Sequence, residues 1–125
     1  MAGESFIVAN RLVSDQPRSA VSRYYYASYQ AMSALILYVG LTPPEGREAW
    51  GHEQTPILIK EHLRVVIPNT GRRQALAGRL SKLYKLRVVA DYISTENVAG
   101  SLEQVRKNAA FLLKVTQDIL PSLES

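Results

Sequence analysis

The sequence predicts an all-α protein: an antiparallel bundle of four main helices preceded by a short N-terminal helix. Its long segments place apolar residues three or four positions apart, which is the spacing of one helix face. Stretches rich in proline and glycine separate these segments, and no segment alternates apolar and polar residues as a strand does. We expect residues 1–125 to form a single domain, because this length suits one core.

The composition argues against several classes of function. Hydrophobic residues make up 46% of the chain and charged residues 21%, which is typical of a globular protein. The absence of cysteine excludes disulfides and thiolate metal sites, and two histidines alone do not favour a zinc site. No apolar run resembles a signal peptide or a membrane span. We therefore predict a cytoplasmic protein that uses no metal, no cofactor and no membrane.

Two helices are predicted in the first third of the chain. The apolar side chains of residues 4–13 keep helical spacing and predict a short helix. Pro17 suits the first turn of the next helix, and Asp15 is a candidate cap for it. This second helix is predicted over residues 17–39, and Gly40 is expected to end it.

The second helix is apolar on two adjoining faces, which is typical of a central helix in contact with several neighbours. It carries the tyrosines Tyr24, Tyr25, Tyr26 and Tyr29. These rings either form a stacking platform for nucleic-acid bases or lie in the core with their hydroxyls on polar partners. Arg23 stays on the narrower polar side of the helix, with Tyr26 next to it.

A loop rich in proline and glycine follows, and three further helices are predicted after it. Trp50 and His52 lie in this loop, and the tryptophan is expected to fold back onto the core. The third helix is predicted from about residue 55 to residue 66, and the fourth over residues 71–93. The boundary signals for the last two helices are Thr70 as a cap, a capping box at residues 101–104, and Pro121 as the end of the fifth helix.

The fourth helix carries charge where apolar residues are expected. Arg79 and Arg87 fall within its apolar stripe, and Asp91 follows Arg87 at the four-residue spacing of neighbours on a helix. One interpretation is an internal ion pair of Arg87 or Arg23 with Asp91. The other is that Arg87 lines a dimer groove and grips a phosphate with two hydrogen bonds.

The surrounding segment is basic. Residues 62–90 contain no acid, but they contain Arg64, Arg72, Arg73, Arg79, Lys82, Lys85 and Arg87. Such a segment either attracts phosphate backbones or forms a solvated helix face that keeps the protein soluble.

Two of these pieces together resemble the HEPN family of prokaryotic helical domains. They are residues 20–27 (Ala-Val-Ser-Arg-Tyr-Tyr-Tyr-Ala) and residues 83–92 (Leu-Tyr-Lys-Leu-Arg-Val-Val-Ala-Asp-Tyr). Gly40, residues 51–52 and residues 109–112 continue the likeness, so that it covers nearly the whole chain. The resemblance implies an antiparallel bundle, a homodimer and an intracellular setting, often beside a nucleotidyltransferase in a toxin–antitoxin or defence system.

Active members of that family are metal-independent ribonucleases with an arginine and, four to six residues later, a histidine. Arg87 matches the arginine, but no histidine follows it, and Asp91 and Tyr92 occupy the place. Tyr92 is a poor base at neutral pH because the ordinary pKa of tyrosine is about 10. Arg47 and His52 have the required spacing, but they lie in the loop, where chance explains the match.

The sequence therefore predicts a HEPN-like domain that is non-catalytic and acts by binding RNA, a nucleotide or a nucleotidyltransferase partner. It is expected to dimerise through its second and fourth helices. The predicted binding residues are Arg79, Arg87, Arg23, Tyr26 and Lys82. One alternative is a ribonuclease with an atypical site, and a second is an adaptor without nucleic-acid contact. The candidate catalytic residues for the ribonuclease are Arg87, Asp91, Tyr92 and His52.

Overall fold

A computed structural model of the chain describes residues 2–12, 16–47, 49–90 and 95–120. These residues form five α-helices and contain no strand, so the predicted all-α class is confirmed for them. The helices are α1 (Ala2–Leu12), α2 (Pro17–Tyr38), α3 (Gln54–His62), α4 (Thr70–Val89) and α5 (Thr95–Ile119). None of the described helices is both long enough and apolar enough to cross a bilayer.

Helix α2 is the centre of the fold. It packs against each of the other four helices, as its two apolar faces predict. Tyr25, Ala27 and Leu35 are completely buried there, and a buried leucine side chain contributes about 1.5–3 kcal/mol of hydrophobic stabilisation. Pro17 occupies the first turn of α2, where its missing N–H has no helical partner to lose.

Helix α3 ends at His62, four residues before the predicted end. The chain then makes one further turn, in which the amide of Ile67 donates to the carbonyl of Leu63 at 2.8 Å. Pro68 follows, and a proline disfavours helical backbone in the residue before it. The turn buries Leu63 and Ile67 without extending the helix.

The predicted caps of the last two helices are wrong. Helix α5 begins at Thr95, and the hydroxyl of Ser101 donates to the carbonyl of Asn97 at 3.1 Å, inside a helix that has already started. At the start of α4 the cap is Asn69, whose Oδ1 accepts a hydrogen bond from the amide of Arg72 at 2.9 Å. Asparagine caps better than threonine, so the helix begins one residue earlier than predicted.

The end of α2 offers a test of backbone conformation. Gly40 has a φ of +100°, as expected of the glycine that ends a helix, and a side chain is strained there. Gly40→Ala is expected to lower the free energy of unfolding by about 1–2 kcal/mol.

Gly78 is the matched control, because it lies inside α4 with nothing within 4 Å of an added Cβ. Gly78→Ala is expected to raise the free energy of unfolding by about 1 kcal/mol. Urea denaturation measures the free energy of unfolding of both variants. Changes of the same sign in Gly40→Ala and Gly78→Ala would contradict the prediction.

Candidate functional site

An aromatic cluster joins the loop after α2 to α2 and α4. It consists of Tyr25, Tyr26, Tyr29, His52 and Tyr84. The imidazole ring of His52 lies nearly parallel to the ring of Tyr84, with ring centres 4.9 Å apart and planes inclined by 13°. Its centre is also 4.9 Å from that of Tyr29 and 5.4 Å from that of Tyr25. His52 is therefore fixed between two helices, although it belongs to a loop.

The loop is held by contacts on both sides of His52. Trp50 is only 5% exposed, which confirms that this tryptophan folds back onto the core. The hydroxyl of Tyr29 donates to the carbonyl of Trp50. On the other side, the hydroxyl of Thr55 donates to the carbonyl of Gly51 at 3.0 Å, at the start of α3. These bonds leave His52 little freedom to leave the aromatic cluster.

The tyrosines of α2 are core residues with polar partners for their hydroxyls. Tyr24 and Tyr25 are completely buried, and their hydroxyls bond to Asn10 Oδ1 and to His52 Nδ1. Tyr26 and Tyr29 are half-buried. The core interpretation therefore holds for the first two rings, while the half-buried rings keep part of their surface open.

The hydrogen bond between Tyr25 and His52 joins two groups whose pKa values are shifted by burial. Burial raises the pKa of the Tyr25 hydroxyl above its ordinary value, so this hydroxyl keeps its proton. Burial and, to a lesser extent, the charge of Arg87 lower the pKa of His52 below 6.5. At neutral pH the imidazole is therefore neutral, and its tautomer decides whether Tyr25 donates to Nδ1 or accepts from it.

This lowered pKa predicts a pH dependence of stability. The folded protein resists protonation of His52, whereas the unfolded chain protonates near pH 6.5, so the unfolded state binds more protons below that pH. We expect the free energy of unfolding to fall as the pH drops from about 7.5 to about 5.5, and to fall less in His52→Gln.

Urea denaturation at both pH values checks this expectation. His62→Gln, at an exposed histidine of α3, is the comparison variant. An equal loss of unfolding free energy between the two pH values in wild type and His52→Gln would contradict the expected role of His52.

Arg87 extends the aromatic cluster towards the start of α2. Its guanidinium carbon lies 4.9 Å from the ring centre of Tyr26 and 5.9 Å from that of Tyr25. Its Nε donates to the hydroxyl of Ser22 at 3.4 Å. Together with Arg18 and Ser22, Arg87 lines a small polar cleft of about 230 Å³. No carboxylate among residues 2–12, 16–47, 49–90 and 95–120 pairs with Arg87.

The structure brings together three of the predicted site residues. Arg87, Tyr26 and His52 all lie around the ring of Tyr25, so the loop histidine and the helix arginine belong to one aromatic cluster. Arg23 is exposed on α2. It is therefore not the buried partner of an internal ion pair.

Asp91 and Tyr92 lie outside the described residues. The ion pair of Arg87 with Asp91 and the catalytic candidacy of both residues therefore stay predictions.

Arg79 and Lys82 lie elsewhere on α4. The Nη1 of Arg79 donates to Asn108 Oδ1 at 3.2 Å, and its guanidinium carbon lies 4.2 Å from the ring centre of Phe111 on α5. Lys82 is exposed and lines a groove between α4 and α5 with Arg79. Arg79 thus contacts α5 while Arg87 contacts α2, and the two arginines do not share one site.

Sequence reasoning missed Arg18, Ser22 and Tyr84. A partial signal was present, because Arg18, Ser22 and Tyr26 follow one another at four-residue spacing on one face of α2. Periodicity groups such residues, but it does not say which neighbouring helix they face. In the part of the chain that the structure describes, no group of three or more histidine, aspartate or glutamate side chains could hold a metal ion.

Comparison with protein-family models, with curated proteins and with solved structures finds no match to this chain. The resemblance to the HEPN family therefore rests on the sequence pieces quoted above.

Proposed function

We propose that this domain binds single-stranded RNA through Arg87 and the aromatic cluster, as a non-catalytic HEPN-like protein. The observation that carries the proposal is the setting of Arg87, which stacks on Tyr26 and lines a polar cleft beside Arg18 and Ser22. A guanidinium held over an aromatic ring is positioned for the bidentate contact that a phosphate accepts.

The surroundings of Arg87 suit the other parts of an RNA strand. Tyr26 and Tyr29 are half-buried, so each keeps part of its surface exposed for contact with a base. Nε2 of His52 has no hydrogen-bond partner among the described residues, so it supplies a second polar contact for the strand. The absence of acids from residues 62–90 keeps the local charge positive, which favours approach of a polyanion.

One tautomer of His52 supports binding rather than cleavage. A general base for ribonucleolysis needs a free nitrogen lone pair within reach of the ribose 2′-hydroxyl. In the tautomer in which Tyr25 donates to Nδ1, that lone pair is occupied and Nε2 carries the proton. His52 in this tautomer donates hydrogen bonds but has no free lone pair with which to take a proton.

A metal-independent ribonuclease is the second candidate, and one observation favours it. His52 and Arg87 both contact Tyr25 and Tyr26, and the charge of Arg87 acts on His52, so the fold brings a histidine and an arginine into one cluster although the sequence does not place them at the family spacing. An RNA cleavage assay in EDTA, with wild type and His52→Gln, tests this candidate. Equal background cleavage by both proteins would remove it.

Other parts of the proposal rest on the resemblance. They are a homodimer through α2 and α4, a nucleotidyltransferase-type partner, a toxin–antitoxin or defence role, and a prokaryotic cytoplasm. The antiparallel four-helix arrangement belongs here too. It is supported by contacts that pair the first half of α2 with the last part of α4 and the residue after it, namely Tyr25 with Tyr84 and Arg18 with Ala90.

Salt dependence of RNA binding tests the proposed function. We expect the wild-type protein to shift a single-stranded RNA of about 20 nucleotides in a gel, and its affinity to fall steeply between about 50 and 200 mM salt. Released counterions cause this dependence, so it reports phosphate contacts directly. Absence of a shift at low salt would favour the adaptor alternative.

A further inference from the structure

A groove between α4 and α5 has two adjoining parts that share three lining residues. One part, about 560 Å³ in volume, is walled by the aliphatic side chains of Leu83, Leu86, Val89 and Val105. The adjoining part, about 360 Å³, is lined by Arg79 with the amide side chains Gln104 and Asn108. Lys82 and both amides border the two parts, so the groove changes from apolar to polar along its length.

The described charges along the groove have one sign. Arg79, Lys82 and Lys85 line it, and none of the lining residues that the structure describes is an aspartate or glutamate. The nearby Glu103 is exposed and paired with Arg106 on α5, outside the groove. An occupant that places apolar groups against the aliphatic wall therefore also needs carboxylates along its edge.

Two glycines border the groove in the middle of helices. Gly78 of α4 and Gly100 of α5 line its two parts, and nothing lies within 4 Å of a Cβ built on either residue. Glycine destabilises a helix interior relative to alanine, and the packing of this chain does not require it here. Glycines at these positions leave room for a second backbone to approach closely.

We infer that this groove docks an amphipathic helix of another protein, with an apolar face on the aliphatic wall and an acidic flank beside the three cations. From Gly78 to Val89 the floor of the groove is about 17 Å long, which matches about three helical turns. A symmetric contact with a second copy would bring the same cations together, and this like-charge repulsion disfavours it. The inference is independent of the proposed RNA site, because Arg87 and the aromatic cluster do not line the groove.

The probe is a fluorescein-labelled helical peptide of about 15 residues, with leucines along one face and glutamates beside them. Its matched control replaces each glutamate by lysine. We expect the acidic peptide to bind the wild-type chain at least tenfold more tightly, measured by fluorescence anisotropy at about 100 mM salt. Equal affinities for the two peptides, or no binding of either, would overturn the inference.

Variants of the chain locate the binding. Lys82→Glu is expected to lower the affinity for the acidic peptide about tenfold. Lys114→Glu changes an exposed lysine of α5 outside the groove, and its affinity for the peptide is expected to stay within about twofold of wild type. Gly78→Leu fills the open space on α4. It is expected to lower the affinity for the acidic peptide by a similar factor without lowering the melting temperature of the protein. Unchanged affinity in Lys82→Glu and Gly78→Leu would show that the peptide binds elsewhere.

Sedimentation of wild type and Gly78→Leu identifies the competing occupant. We expect the two proteins to have the same mass in solution. A dimer that dissociates only in Gly78→Leu would show that a second copy fills the groove, which also overturns the inference. RNA binding is expected to persist in Gly78→Leu, so loss of peptide binding and failure of the RNA proposal are separate results.

Discussion

Replacing Arg73 by methionine is expected to lower the free energy of unfolding by about 3 kcal/mol. Arg73 is only 5% exposed, and its guanidinium donates to backbone carbonyls at both ends of the connection between α3 and α4. Its Nη1 reaches the carbonyls of Ile67 and Pro68 at 2.8 and 2.9 Å, and its Nε reaches that of Lys60 at 3.1 Å. Methionine fills most of the volume but supplies no donor, so these carbonyls lose charged hydrogen bonds.

The neighbouring arginine provides the control. Arg72 is exposed, and its contribution to the cap of α4 is made by its backbone amide, which substitution keeps. Arg72→Met is therefore expected to change the free energy of unfolding by less than about 0.5 kcal/mol. Urea denaturation of both variants measures the difference, and similar losses in both would mean that the hydrogen bonds of Arg73 add little.

Arg87→Ala is expected to weaken RNA binding by about tenfold to a hundredfold. The substitution removes the guanidinium that stacks on Tyr26 and lines the polar cleft with Arg18. It is also expected to reduce the slope of log affinity against log salt by about 1, because one phosphate contact is lost. Arg87→Lys keeps the charge but not the planar fork, so we expect an intermediate affinity.

Arg11→Ala is the control for loss of one positive charge. Arg11 lies in the last turn of α1, is exposed, and does not border the cleft. We expect the RNA affinity of the Arg11→Ala variant to stay within about twofold of wild type. Fluorescence anisotropy of labelled RNA measures the RNA affinity of wild type and of the three variants. Equal RNA affinities of Arg87→Ala and Arg11→Ala would refute the proposed role of Arg87.

The apolar spacing of the sequence was enough to predict the helices and the central position of α2. Leu76, Leu80 and Leu83 of α4 are buried as their spacing predicts, and Gly40 ends α2 with a positive φ. The ends of α3 and α5 were less predictable. Their boundaries depend on whether a local signal, such as the hydroxyl of Ser101, caps a helix or bonds within one that packing has extended.

Arg73 marks the limit of reasoning from charge patterns. In the sequence it is one of seven basic residues in an acid-free segment, and nothing in that pattern separates it from Arg72. In the structure, Arg73 is buried against three carbonyls while Arg72 is exposed. A turn between two helices creates these unpaired carbonyls, and only the path of the chain through that turn brings them to one side chain.

The sequence by itself determined the helical class, the core stripes and the positions of the charged residues along each helix, because these follow from a spacing of three or four residues. The tertiary structure alone decided that His52 and Arg87 join one aromatic cluster, that Arg18 and Ser22 complete the cleft, and that Arg79 contacts α5 instead. The spacing of residues predicts only which side chains share a face of one helix. Contacts between a loop and two helices depend on how the whole core packs.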